Sequence, residues 1–215
     1  MEEYSSGVSE KCGNNRSIAR VLIWPFVLAI MALVASQVTR LHQNQAASWL
    51  LWDYAGRITA LTVLAALPSA RVAAFRISNR KISLFEIVSW IVGICLLGSF
   101  GQWPQHFINA AFPATVLGVY PHPTGWLSAF DLAFGLALVA ASEEIIFRQY
   151  ILQAFQPYLG NGIFALLTTS VLFGAYHWWA GLGNVLLAIT IGVFLMLMLR
   201  RSGVAMAGGT RALPS

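Results

Sequence analysis

The chain has 215 residues, 58% of them hydrophobic and only 10% charged. Soluble domains carry about 25% charged and about 45–50% apolar residues, so this composition is that of an integral membrane protein and excludes a large soluble domain. The net charge of +5 is no nucleic-acid signature, because the basic residues sit between apolar runs and not on a stripe interleaved with aromatics.

Residues 1–20 are polar and partly acidic. The apolar run that follows, Val21–Val38, exceeds the h-region of about 7–15 residues that a signal peptide carries, so it reads as a retained first span. Five further candidates follow: Trp49–Leu67, Leu84–Phe100, Trp126–Phe155, Ile163–Trp179 and Leu182–Leu199. Together they predict an all-α, polytopic membrane helix bundle of about six spans. The two cysteines, Cys12 and Cys95, make neither a disulfide framework nor a C-x-x-C spacing.

Connector charges predict the orientation. Lys11, Arg16 and Arg20 precede the first span, Arg71, Arg76, Arg80 and Lys81 lie between the second and third, and Arg200 and Arg201 follow the sixth. The alternate connectors carry only Arg40, or no Lys or Arg at all from Gly101 to Gly125. The positive-inside rule then puts the N-terminus in the cytoplasm and makes 101–125 an outer loop. Trp49, Trp52, Trp103, Trp126, Trp178 and Trp179 fall near span ends, as an aromatic belt would.

Ionisable groups inside a span are costly and mark functional sites. Asp53 and Arg57 lie close to the start of their span, where snorkelling to the interface explains them. The cluster Glu143, Glu144 and Arg148 is different. After it, "QPYLGNG" at 156–162 signals a turn. Glu143 lies seventeen residues before Gly160 and His177 seventeen after it. At 1.5 Å per residue both sit roughly 25 Å from the bend, level with each other in a helical hairpin. Glu144 and Arg148 have the favourable i,i+4 order for an ion pair. Glu143 points elsewhere and is expected to lack a cation, so that desolvation raises its pKa and suits it to act as a general base on water beside His177. A buried polar knot holding helices together is the structural alternative; for Phe173 ordinary packing is expected.

Other hydrolytic chemistries fit less well. There is no G-x-S-x-G elbow, no facing aspartate pair and no H-E-x-x-H; Glu143 and His177 offer two zinc ligands, one short of the usual three.

"EEIIFR" at 143–148 and "FGAYH" at 173–177, read as E-E-x-x-x-R and F-x-x-x-H on consecutive membrane helices, resemble the first two motifs of the CAAX-protease and bacteriocin-processing family. This is the type II CAAX prenyl endopeptidase, or abortive-infection, group of intramembrane proteases. The resemblance spans residues 126–201 and divides the chain into a 1–20 cytoplasmic segment, 21–125 N-terminal spans and outer loop, a 126–201 protease-like core and a 202–215 tail. It implies an intramembrane endopeptidase of a bacterial cell membrane, cleaving a membrane-associated peptide or lipidated protein. Glu143 would be the base, Glu144 and Arg148 its support, and His177 the residue that positions the water. It implies no cofactor, with a divalent metal such as zinc as the alternative. The competing function is a non-catalytic membrane immunity factor or scaffold in which the polar cluster stabilises the bundle or binds a partner. The family also carries a histidine followed one turn later by an asparagine on a further helix. No histidine follows His177 here, so the last helix is expected to be missing. The rate is expected to fall by about 10²–10³ for each oxyanion donor lost.

Overall fold

The computed structural model describes residues 2–75, 83–160 and 162–201. Among them are seven helices and no strand: α1 Glu2–Leu41, α2 Ala46–Ala66, α3 Pro68–Ala74, α4 Leu84–Ala111, α5 over 126–159, α6 Ile163–Tyr176 and α7 Leu182–Arg201. The all-α membrane bundle is as expected. The tail 202–215 and the basic connector 76–82 lie outside the described residues.

Each expected span is helical, but the helices differ in their ability to cross a bilayer. By length and composition α1 (from Val21), α4 and α7 can span, and α2 with α3 makes a fourth if counted as one span bent by 113°. The bend falls at Leu67–Pro68, where proline's missing N–H and fixed φ allow a new helix to start but not the old one to continue. α6 has 14 residues, about 21 Å, short of the roughly 30 Å hydrocarbon core. α5 is a continuous right-handed helix containing two π-helical stretches, Asp131–Gly135 and Ile145–Tyr150. Such wide turns concentrate at functional sites, and the second of these carries Arg148.

Two expectations change. Residues 101–111 are not loop, because α4 runs through Gly101 and Pro104 to Ala111. Glycine and proline are tolerated in membrane helices, where neighbours satisfy the freed backbone groups. Likewise α1 begins at Glu2, so the polar N-terminal segment continues the helix of the first span.

α4 starts on a capping box, with the Glu86 amide donating to Ser83 Oγ and the Ser83 amide to the Glu86 carboxylate, both 3.1 Å. The core forms where α1, α2, α3, α5 and α6 meet, around Leu33, Leu64, Ile146, Phe147, Tyr150 and Phe173. Large apolar residues outside it, such as Trp24, Phe85 and Trp126, are exposed, the pattern a lipid-facing surface requires.

The ends of the bundle are tied differently. At one end Tyr150 donates to the Leu22 carbonyl at 2.7 Å, Gln153 to Ala73 at 2.8 Å and Arg200 to Gly162 at 2.6 Å. At the other, the connector after α4 is stitched to the α6–α7 turn. Val116 bridges Ala180, Leu117 donates to Trp179 at 3.0 Å, and the Gly183 amide donates to Asn109 at 2.8 Å. We call these the basic end and the connector end.

α6 and α7 approach closely at Gly174, where a Cβ would lie 2.2 Å from Ile189 Cγ1 and 2.7 Å from the Val185 carbonyl oxygen. The carbonyl belongs to the helix backbone and cannot swing away. Gly174→Val is therefore expected to cost about 1–3 kcal/mol by overpacking, read as a lower unfolding midpoint in detergent, whereas an unchanged midpoint would show that the helices can separate freely.

Candidate active site

Glu143, Glu144, Arg148 and His177 line one cavity of about 600 Å³, together with Asn184 and apolar side chains including Ile94, Leu187 and Ile191. The turn at Gly160, which adopts φ +64°, returns the chain so that α6 places His177 beside α5. The helical arms thus bring the histidine and the first glutamate to one place.

Arg148 Nη1 donates to Glu144 at 2.8 Å, the i,i+4 pair read from the sequence. Its guanidinium lies 4.9 Å from the centre of the Phe173 ring, and the same ring meets His177 edge-on at 4.9 Å. Phe173 is therefore more than packing: it seats the cation on one face and the imidazole beside it.

His177 Nδ1 is 3.0 Å from the Phe173 carbonyl oxygen. A carbonyl can only accept, so Nδ1 carries the proton, and in the neutral ring Nε2 is left as an acceptor.

Glu143 departs from expectation. It has a cation: Arg57 Nη1 on α2 lies 3.2 Å from its carboxylate. The same nitrogen donates to Ser142 Oγ at 2.9 Å, while Arg57 Nε donates to Asp53 at 3.0 Å. Asp53 also accepts from Arg40 of α1. The premise of an unpaired acid is thus overturned. So is the reading of Asp53 and Arg57 as an interfacial pair, since Arg40, Asp53 and Arg57 are 2%, 4% and 5% exposed. Arg40 is clasped between the rings of Trp49 and Trp179, 4.3 and 4.4 Å away. These two tryptophans therefore serve the interior and not an aromatic belt. Trp178 also turns inward, donating to Gln37 at 2.8 Å, whereas Trp103 and Trp126 are exposed as a belt would have them.

A second cavity of about 350 Å³ adjoins this network. Glu143 and His177 line it too, with Arg40, Asp53, Arg57, Tyr120, Asp131 and Tyr176. Asp131 accepts from the Tyr54 and Tyr120 hydroxyls. In the connector, burial first and then the bond to Asp131 hold the Tyr120 phenol above its ordinary value.

Among the described residues no group of three His, Cys, Asp or Glu side chains is gathered that could hold a metal ion. Glu143 and His177 remain two possible ligands, short of the three that a catalytic zinc takes from protein.

A carboxylate and an oriented imidazole thus share a cavity wall within the helix bundle. Residues 124–213 match the family model for type II CAAX prenyl endopeptidase Rce1-like proteins. The resemblance read from the two motifs therefore holds over that segment. No curated protein and no solved structure matches the chain. Arg40, Asp53 and Arg57 fall outside the matched segment.

Removing one partner of a buried ion pair costs about 3–5 kcal/mol, because it strands the other charge. Arg57→Met strands Glu143 and leaves Asp53 with Arg40 alone, and is expected to lower the unfolding midpoint sharply, with Glu143→Gln in the same chain recovering part of the loss. Glu144 is 39% exposed and glutamine can still accept from Arg148, so Glu144→Gln is expected to cost less than Arg57→Met. Equal losses for the two single variants would show that the Arg57 network carries no special weight.

Proposed function

We propose that this chain is an intramembrane endopeptidase of the CAAX-protease type that cleaves a membrane-associated peptide or lipidated protein with a glutamate-activated water. The observation that carries the reading is that Glu143 and His177, from consecutive helices, line the same two cavities. We further read the chain as resident in a bacterial cell membrane with its N-terminus in the cytoplasm, from the distribution of Lys and Arg.

In this reading water sits between Glu143 and His177. One of its hydrogens points to the Glu143 carboxylate and the other to Nε2 of His177, which leaves an oxygen lone pair for the scissile carbonyl carbon. As the carbon–oxygen bond forms, the proton passes to Glu143 and the carbonyl oxygen becomes an oxyanion. The proton then goes to the leaving nitrogen as the C–N bond breaks. Glu144, Arg148 and Phe173 hold the surrounding side chains in place. Arg57 anchors Glu143 so that its carboxylate meets water in one orientation. The oxyanion needs a donor, and the amide of Asn184 at the start of α7 supplies an N–H on the same cavity wall. The zinc alternative requires a third protein ligand.

The first test is Glu143→Gln in purified protein with a membrane peptide, where the rate is expected to fall by about 10²–10⁴ with the fold retained. Cleavage should survive a chelator; activity lost to EDTA and restored by zinc would favour the metal alternative. A specific observation supports a second, non-catalytic reading: the Arg40–Asp53–Arg57–Glu143 network joins three helices and could serve as a structural knot in an immunity factor or scaffold. Undiminished biological effect in Glu143→Gln would select it.

Asn184 is tested separately. Asn184→Ala should reduce kcat by about 10²–10³ if it faces the oxyanion, and Asn184→Asp should not restore it, since a carboxylate cannot donate. Full activity in both variants would remove Asn184 from the site.

A further inference from the structure

The side of the membrane from which the site is reached follows from two independent features, the position of the second cavity and the distribution of charge.

The site lies at the connector end. Arg40 is in the last turn of α1, His177 caps α6 and Asn184 is in the first turn of α7. The 350 Å³ cavity is lined by Trp49 near the start of α2, by Tyr120 of the connector after α4 and by Trp179 of the α6–α7 turn. This chamber has the lining of a water-filled space. Arg40 Nε and the Tyr176 hydroxyl are buried and bond no described residue, although Arg40 and Tyr176 are only 2% and 7% exposed and both line the chamber. Buried donors left unpaired are costly, and water, which both donates and accepts, satisfies them. At roughly 30 Å³ per water the volume holds on the order of ten molecules. An anion fits less well, since the acids lining the chamber, Asp53, Asp131 and Glu143, outnumber the cations Arg40 and Arg57. The larger cavity shares Glu143 and His177 with the chamber; beside Glu144, Arg148 and Asn184 it is walled by apolar side chains such as Ile94, Leu187 and Ile191, and it suits a peptide.

The charge distribution places the connector end. Arg71, Arg200 and Arg201 are all at the basic end of the bundle, and in the sequence Lys11, Arg16 and Arg20 precede the apolar run of α1 while Arg76, Arg80 and Lys81 lie between α3 and α4. At the connector end the one Lys or Arg near a helix terminus is Arg40, and it is neutralised by Asp53. Connectors rich in Lys and Arg remain in the cytoplasm.

We propose that the site is served from the extracytoplasmic side of the membrane through the polar chamber, and that its substrate is a peptide exposed on that side and not the tail of a cytoplasmic protein. The substrate half of this statement rests on the endopeptidase reading; the sidedness does not.

The test uses the full chain with Cys12 and Cys95 replaced by serine and single cysteines introduced at three places. Thr124→Cys reports the connector, Ser69→Cys the first turn of α3 at the basic end, and Val139→Cys the half-buried chamber wall. A small, membrane-impermeant, cationic thiosulfonate is applied to right-side-out spheroplasts and to inside-out vesicles. Thr124→Cys and Val139→Cys should react in spheroplasts, and Ser69→Cys only in inside-out vesicles. Reaction of Ser69→Cys in spheroplasts with Thr124→Cys protected would reverse the orientation and overturn the proposal. Reaction of Thr124→Cys with Val139→Cys protected in both preparations would show a closed chamber and overturn it equally. The expected labelling in a chain that cleaves no peptide would sustain the sidedness and refute only the hydrolytic reading.

Discussion

The ion network centred on Arg57 is the constraint on which the rest of the site depends. Isolated charges in a bilayer cost about 2.5–3.5 kcal/mol each by insertion scales and more by other measures. Arg40, Asp53, Arg57 and Glu143 are joined to one another, and their formal charges cancel. Removing Arg57 strands Glu143, and removing Asp53 strands Arg40. Because the network links α1, α2 and α5, these helices can come together only in the register that pairs the charges. Lipid offers little hydrophobic drive for helices to associate, so such polar contacts acquire weight that they would lack in water.

This constraint also determines what Glu143 can do. An acid held by one guanidinium, with Ser142 on the same nitrogen, has a fixed place but keeps oxygen lone pairs for another partner. His177 is fixed in a complementary way: its Nδ1 is committed to the Phe173 carbonyl, and Nε2 is left to accept. Both groups are oriented before any substrate arrives, which is the condition under which proximity accelerates a reaction.

Much of this was legible in the sequence, and the part that was not has an identifiable physical reason. The hairpin at Gly160 and the pairing of Glu144 with Arg148 are local, and helix geometry predicts them. The partner of Glu143 is 86 residues away, on a helix whose pairing with α5 no local pattern encodes. Asp53 and Arg57 were misread because a pair near the start of a span has the same spacing whether it reaches for water or for a buried acid. Arg40 was misread as a loop charge because its aromatic clasp, Trp49 and Trp179, comes from two distant segments. The π-helical stretches of α5 have no sequence signature, and the lack of Lys and Arg from Gly101 to Gly125 marks a side of the membrane without saying where α4 ends.

Hydrolysis inside a membrane has to reconcile reactants with opposite solubilities. An apolar peptide partitions into lipid and water does not, yet both must touch the same carboxylate. Glu143 and His177 line both a chamber that carries the buried charges of Arg40, Asp53 and Arg57 and a cavity that carries Ile94, Leu187 and Ile191, so in the proposed reaction water and peptide can reach these two groups through different cavities. The cations that make the chamber polar come from α1 and α2, outside the segment that matches the protease family. On this view the N-terminal helices are more than a membrane anchor: α5 and α6 carry the acid and the imidazole, and α1 and α2 supply the buried charges beside them.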